Sequence, residues 1–161
     1  MEATRRNLWL GRITLVLICL IAGAGCTAGN VPEKGEQIRI TQDNLERICS
    51  VEWTVAALTV DSIASELTEK PPFVKFEPNG KFGGFASVNR FFGSFSIDDR
   101  GKIKIAPVGA TMMAGPDDQM AQEMAFLKVF QKIEGFYLAG NMLSAVMAEE
   151  GNNLVFTLPA E

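Results

Sequence analysis

Three groups of residues in this chain of 161 have side chains capable of more than folding. The first is Cys26, which closes the run Leu-Ile-Ala-Gly-Ala-Gly-Cys at 20–26 behind an arginine-bearing start. A thiol in that place is the soft nucleophile that an acyl-transfer machinery modifies, so Cys26 is expected to become the first residue of the mature chain and to carry lipid. The second group is two carboxylate pairs, Asp98/Asp99 and Asp117/Asp118. In principle such pairs serve acid–base chemistry or hold a weak calcium ion. Both stand where aspartate serves structure, in a hairpin turn and at a helix start, so catalysis is not expected from them. The third group is Asn89, Arg90, Phe91, Phe92 and Thr111, which offer an amide, a guanidinium, a hydroxyl and two rings for recognition. Histidine is absent from the chain. That removes the commonest general base and metal ligand, and with it the Ser-His and Cys-His arrangements. No phosphate-cradling glycine loop stands between a strand and a helix, since Gly80, Gly83 and Gly84 lack that setting.

The segment ahead of Cys26 has the build of a cleaved leader. Arg5, Arg6 and Arg12 make its positive start, and Ile13 to Gly25 is a run of 13 residues without a charge. At a helical rise of ~1.5 Å per residue this run reaches roughly 20 Å, short of the ~30 Å hydrocarbon core. Cleavage is therefore expected over a permanent span. Ala22, Gly23, Ala24 and Gly25 are small enough to enter a peptidase cleft, although Gly23 stands where such signals usually place Leu. The other reading is an ordinary secretory signal cut nearby, which leaves Cys26 as a simple thiol. Thr27 in place of Asp after the cysteine points to the periplasmic face of an outer membrane.

Processing at Cys26 changes the balance of charge. The leader takes three Arg and Glu2 with it, so 15 basic and 19 acidic groups become 12 and 18, a formal charge of −6 on 136 residues. An acidic surface does not suit a nucleic-acid partner, which needs a basic face for phosphates. Attachment to a membrane is thus expected through the acyl chains on Cys26 and not through electrostatics. Cysteine use is sparse. Cys19 leaves with the leader and Cys26 is acylated, so Cys49 has no partner for an internal disulfide. It is either a small buried hydrophobe or an exposed thiol able to link two copies of an otherwise monomeric protein.

These residues must be positioned by one domain of mixed but mostly β character. Thr27 to Gln37 is polar and reads as a tether, with residues 26–45 as the lipidated start and flexible tether and 46–161 as the domain. Within Ile38 to Ser50, Asp43 is placed to cap a short helical turn carrying Leu45 and Ile48. Strands are expected at Glu52–Leu58 with Trp53 buried, at Phe73–Glu77, and at Lys81–Ala86, where Gly83-Gly84 suggests a bulge. A further strand is centred on Phe95 and Ile97, followed by one at Lys102–Ala106. The Pro78-Asn79-Gly80 and Asp99-Arg100-Gly101 runs supply turns. Pro116-Asp117-Asp118 opens one helix. Its apolar stripe is expected to be Met120, Met124, Leu127, Phe130 and Ile133, turned to the core, with Gln122, Lys128, Gln131 and Lys132 in solvent and Gly135 as the stop. Strands at Phe136–Ala139, Leu143–Ala148 and Leu154–Leu158 complete the chain. The expected architecture is α+β: a small, partly open antiparallel barrel of about eight short strands with one helix packed on it.

The stretch Phe82 to Phe95 (FGGFASVNRFFGSF), then Pro107 to Pro116 (PVGATMMAGP), then a helix holding Glu123, resembles the META domain, the family that includes the heat-shock protein HslJ. Asn89, Phe91 or Phe92, Gly93, Phe95, Thr111, Met113, Ala114, Glu123, Leu127, Tyr137 and Leu143 fall on its pattern, and Trp53 matches its early tryptophan. The resemblance covers about Glu46 to Leu158. Relatives usually have cysteine where this chain has Val88 and Gly115. If those cysteines pair, this chain has lost both together and must hold the two loops by packing, with Phe82, Phe85, Phe91, Phe92 and Phe95 as the compensating cluster. The resemblance also implies a fold similar to that of lipoprotein pilotins, which bind an apolar segment of an outer-membrane secretin.

The expected function is a non-catalytic, lipid-anchored module of the cell envelope, acting in stress tolerance or maintenance and engaging an envelope protein in the manner of a pilotin. The alternative is a periplasmic carrier of a small apolar ligand or lipid. Asn89 and Thr111 are expected to tie the two crossing loops or to touch a ligand. Phe91 and Phe92 point oppositely on a strand, which leaves one ring free for a partner. No cofactor is expected. A filled core with an exposed phenylalanine favours the protein-binding module, and an apolar cavity of several hundred Å³ favours the carrier.

Overall fold

The computed structural model describes residues 37–159; the leader, Cys26 and most of the tether lie outside the described residues. Eleven strands form one antiparallel sheet in the order β1-β9-β10-β11-β2-β4-β5-β6-β7, with β3 paired to β2 and β8 to β6. They are β1 (Ile38–Arg39), β2 (Glu52–Val60), β3 (Ile63–Ala64), β4 (Phe73–Phe76), β5 (Lys81–Phe85), β6 (Arg90–Ile97), β7 (Ile103–Ile105), β8 (Gly109–Ala110), β9 (Ile133–Ala139), β10 (Met142–Met147) and β11 (Asn153–Thr157). A 3-10 helix covers Gln42–Ile48, and one α-helix, α1, covers Asp117–Phe130. The α+β expectation holds. Eight strands have three or more residues, and β1, β3 and β8 add pairs of residues to the sheet. The barrel does not close, because β1 and β7 end the strand order without pairing to each other.

The fold begins ahead of residue 46. Ile38 and Arg39 pair with Leu138 and Tyr137 of β9, and Ile40 is fully buried. Residues 38–45, placed with the tether by the boundary at 46, are therefore part of the folded unit. The 3-10 helix is capped by Thr41 and not Asp43: the Asn44 side chain accepts the Thr41 N–H at 2.8 Å, the return half of a capping box. Its Leu45 and Ile48 are buried as expected.

Alternation along the strands fills the interior. In β2, Trp53 and Val55 point inward, and a register shift opposite Val155 and Phe156 makes Ala56 an extra residue, after which Leu58 faces the core. The Trp53 indole N–H donates to the Ile48 carbonyl at 2.9 Å, which satisfies its polar end inside the core. Two tracts of rings run through the centre. Phe82, Phe91, Phe126 and Phe130 pack with centroids 5.1–5.9 Å apart. Phe76 meets Phe95 at 5.5 Å and Phe136 at 5.4 Å, edge to face. Of the five phenylalanines expected to compensate for a missing disulfide, Phe82, Phe91 and Phe95 are buried, whereas Phe85 is half-buried against Phe73 and Phe92 faces outward.

Gly83-Gly84 makes no bulge. The pairing of β5 with β4 and β6 runs through both residues without a break. A side chain on Gly84 would meet the Phe73 carbonyl at 2.0 Å and the Phe91 ring at 2.9 Å, so this glycine is needed for close approach and not for a bend.

The helix is rotated from the expected phase. Its buried residues are Gln122, Glu123, Phe126, Val129 and Phe130, while Met124 is 71% exposed and Met120 and Leu127 are half-buried. Two polar residues share the core face, and a pattern search that sums only apolar positions follows the methionines instead. Gly135 lies inside β9 and does not end α1, which stops at Phe130.

Val88 and Gly115 stand against each other. A Cβ built on Gly115 would lie 2.7 and 2.8 Å from the Val88 methyls and 3.4 Å from the Val88 Cβ. That last separation is close to the ~3.5–4.5 Å between Cβ atoms that a disulfide spans. The valine methyls thus occupy the space that a second side chain would need, and the two positions must change together. A Val88→Cys/Gly115→Cys variant is expected to oxidise without reagents and to gain about 3 kcal/mol in urea unfolding over its reduced form, as for a closed loop of this length. Free thiols at both positions in oxidised protein, or an unchanged midpoint, would contradict this geometry.

Candidate functional site

The residues singled out on β6 and after β8 separate into a buried polar junction, a core ring and a surface groove. The junction forms where the β5–β6 turn crosses the loop after β8, under α1. The Ala86 N–H donates to the Asn89 carbonyl at 2.8 Å and closes a turn in which Ser87 takes φ = 121°, a strained region for a residue with a side chain. Helix α1 holds this turn from above. The Gln122 amide donates to the Ser87 hydroxyl, to the Thr68 hydroxyl at 3.1 Å and to the Lys70 carbonyl at 3.0 Å, and its oxygen accepts the Thr68 N–H at 2.7 Å.

Asn89 is buried and uses its full hydrogen-bonding capacity. Its Nδ2 donates to the Met113 carbonyl at 3.1 Å and to Glu123 Oε1 at 2.8 Å. Its Oδ1 accepts the Met113 N–H at 2.7 Å and the Thr111 hydroxyl at 2.9 Å. Thr111 Oγ1 in turn accepts the Arg90 N–H at 3.1 Å. Glu123 is a buried carboxylate whose donors are N–H groups: Val88 at 3.1 Å and Asn89 at 2.7 Å on Oε2, with Asn89 Nδ2 on Oε1. Burying such a group is costly unless donors replace its water, and three do so here. Asn89 and Thr111 are therefore loop ties in this structure. Glu123, Gln122, Ser87 and Thr68 belong to the same junction. Of these four, only Glu123 was signalled by the sequence, through its place in the family pattern.

Arg90 and Phe92 turn the other way, with Phe91 buried between them. The outer face of β2, β4, β5 and β6 carries a groove of 380 Å³ lined by Glu52, Phe73, Lys75, Gly83, Arg90 and Phe92. Register sets its shape: Glu52, Lys75, Gly83 and Phe92 lie in one row across the four strands. The space above Gly83 is open, since the nearest atom to a Cβ there would be the Phe91 carbonyl at 3.7 Å. Phe92 is 58% exposed, and on its far side a Cβ on Gly109 would meet its ring at 2.8 Å. A glycine thus lies on either side of the one exposed ring of the row. Among the described residues, neither Lys75 nor Arg90 has an ion-pair partner.

The carboxylate pairs serve turns and the helix start. Asp98 Oδ1 accepts the Lys102 N–H at 2.7 Å and the Arg100 N–H at 3.0 Å, and these bonds with the nearby Arg100 guanidinium hold its carboxyl below the usual range. Its stabilising effect is present above the carboxylate pKa of the unfolded chain and fades as pH falls through its own lowered value. Asp117 and Asp118 stand exposed in the first turn of α1. Among the described residues no three His, Cys, Asp or Glu gather into a metal site. Cys49 is buried, and desolvation first, with Glu46 and Glu77 adding, pushes its thiol pKa up. These are the properties of the small-hydrophobe alternative, and they disfavour a thiolate.

The junction makes a testable demand on Glu123. Both of its oxygens accept, so Glu123→Gln must set an amide NH2 against a donor. Glu123→Gln and Asn89→Ala are each expected to lower stability by about 1–3 kcal/mol in urea unfolding. Asn89→Asp, which loses both donors and faces a second carboxylate, is expected to cost more. Losses below about 0.5 kcal/mol, the usual range for surface changes, would show that the junction does not hold the loops.

Comparison with known proteins bears on the fold. The chain is similar to a protein from Burkholderia xenovorans solved by NMR, with a TM-score of 0.61 at 18% identity, covering 88% of this chain and 100% of that one. It is also similar to a second protein solved by NMR, with a TM-score of 0.52 at 18% identity, covering 74% and 95%. A DUF4847 family protein from Bacteroides vulgatus gives a TM-score of 0.51 at 11% identity, covering 72% and 97%. No curated protein matches this chain. Residues 46–161 match the META domain, a span that contains the Asn89–Glu123 junction, the groove and α1. The chain belongs to the META domain family.

Proposed function

We propose that this chain is a non-catalytic binding module of the cell envelope, held by acyl chains on Cys26 at the periplasmic face of the outer membrane, where it engages a protein partner in stress tolerance or maintenance. The observation that carries the reading is the contrast between interior and surface. The interior is occupied by rings in edge-to-face contact, and Phe92 stands exposed beside an open groove on the sheet. A carrier needs enclosed apolar space, whereas this groove opens on the outer face and is bordered by Glu52, Lys75 and Arg90. Asn89, Glu123 and Asp98 are engaged with backbone N–H groups, which supports binding over catalysis at those positions. The lipid anchor rests on the leader pattern alone. No helix among the described residues is long and apolar enough to cross a membrane.

Two measurements test the parts separately. Cys26→Ser is expected to abolish acylation of residue 26 and to leave an unprocessed precursor, and globomycin, which blocks the cleavage step, is expected to leave a precursor as well; an unchanged product size under both, or no lipid on residue 26 of the wild type, would remove the anchor. Co-purification from detergent-solubilised envelopes is expected to yield a protein recovered with the wild type and lost with Phe92→Ser. Recovery of bound lipid with no such protein would favour the carrier of small apolar ligands.

A further inference from the structure

The stripe Met120–Met124–Leu127 has the spacing of a core face, yet Met124 lies on the side of α1 away from the residues it buries, with Met120 and Leu127 half-buried at its flank. Met124 is 71% exposed. The loop before α1 adds Met112 and Met113, which are 98% and 57% exposed. The junction places this loop beside the helix: Asn89 binds the Met113 N–H and carbonyl while donating to Glu123, the neighbour of Met124. Of the six large apolar residues exposed among the described ones, three are therefore these methionines, carried by α1 and by the loop tied to it. A concentration of that kind on a folded surface marks an interface.

We propose that this methionine face docks a basic amphipathic helix of a partner protein. The charges on the stripe are acidic or neutralised. Asp117 stands three residues before Met120 on the same face, Asp118 is beside it, and Lys128 is held by Asp61 at 2.7 Å. A cationic partner complements this arrangement, whereas anionic lipid headgroups are repelled by it. The face is built from a helix and a loop, with contacts available through side chains, which suits an incoming helix reading apolar positions at i, i+3, i+4 and i+7. Methionine adapts its rotamers to such a partner at little strain. Because Asn89 fixes the Met113 backbone on both sides, the loop needs little ordering when the partner arrives. The proposal concerns a different surface from the Phe92 groove and stands whether or not that groove binds.

The test uses the full chain in nanodiscs of zwitterionic lipid, with empty nanodiscs as reference and methionine methyl groups labelled with carbon-13. The probe is a fluorescent helical peptide of 18 residues or so with a leucine face and lysines elsewhere, enough for four to five turns. A control peptide carries glutamate in place of every lysine. The lysine peptide is expected to bind in the micromolar range, to shift the methyl signals of Met112, Met113 and Met124, and to weaken with salt. Met124→Asp, an exposed position whose change leaves the fold intact, is expected to weaken binding by about tenfold or more. Asp117→Lys with Asp118→Lys is expected to weaken it and flatten the salt dependence. Phe92→Ser is expected to have no effect. The proposal is overturned if neither peptide binds, if both bind equally, if the methionine methyls stay unshifted, or if the peptide responds to Phe92→Ser instead of Met124→Asp.

Discussion

A buried carboxylate with no counter-ion among the described residues constrains much of this structure. Glu123 sits on the core side of α1, and its oxygens are satisfied by N–H groups of Val88 and Asn89. Hydrogen bonds to a charged acceptor contribute about 1.5–3 kcal/mol each, and an unsatisfied buried charge costs more than that. The β5–β6 turn must therefore stay beneath the helix, and Asn89 must present its amide in one orientation. From that orientation follow the path of the loop at Thr111–Met113 and the start of β6. Gln122 repeats the arrangement one residue earlier, drawing in Ser87 and the Thr68–Lys70 loop. One turn of helix thus organises three loops that have no strand pairing of their own.

That constraint also rotates the helix. With Gln122 and Glu123 inward, Phe126, Val129 and Phe130 follow at helical spacing, Met124 is left outside and Met120 only half-buried. A core face made only of apolar residues would have buried Met120 and Met124 and left Asn89 without its acceptor. The exposed stripe is therefore a consequence of where the polar junction had to lie. Its cost in exposed apolar surface is one that a binding partner can offset.

Much of the fold was legible because its signals are local. Pro78-Asn79-Gly80 and Asp99-Arg100-Gly101 mark turns in any sheet, and the glycines there take φ of 78° and 77°. Alternation at Phe95 and Ile97 and the opposite facing of Phe91 and Phe92 follow from the pleat alone. What could not be read depends on distant partners. Gly83-Gly84 resembles a bend until the Phe73 carbonyl and the Phe91 ring fill the space beside Gly84. The phase of α1 depends on hydrogen bonds to residues 34 and 35 positions away, which no periodicity of apolar residues records. The short pairings at Ile38–Arg39 and Gly109–Ala110 are too brief to have a pattern. The family resemblance did better at the site, since it marked Asn89, Thr111 and Glu123 together, the three residues the structure joins.

Val88 and Gly115 show how the same junction tolerates the loss of a covalent tie. The two positions face each other across the crossing loops, next to Asn89 and Met113, which hydrogen bonds already clamp. A disulfide acts chiefly by limiting the unfolded chain, whereas the junction acts in the folded one, so either is able to hold the crossing. In this chain the valine methyls occupy the space beside Gly115 and the carboxylate of Glu123 binds the backbone on the other side of Val88. The crossing is thereby held without a thiol. Cys49 remains as the single cysteine among the described residues, buried and with its thiol pKa pushed up by desolvation, so it does not present a thiolate at the surface of the domain.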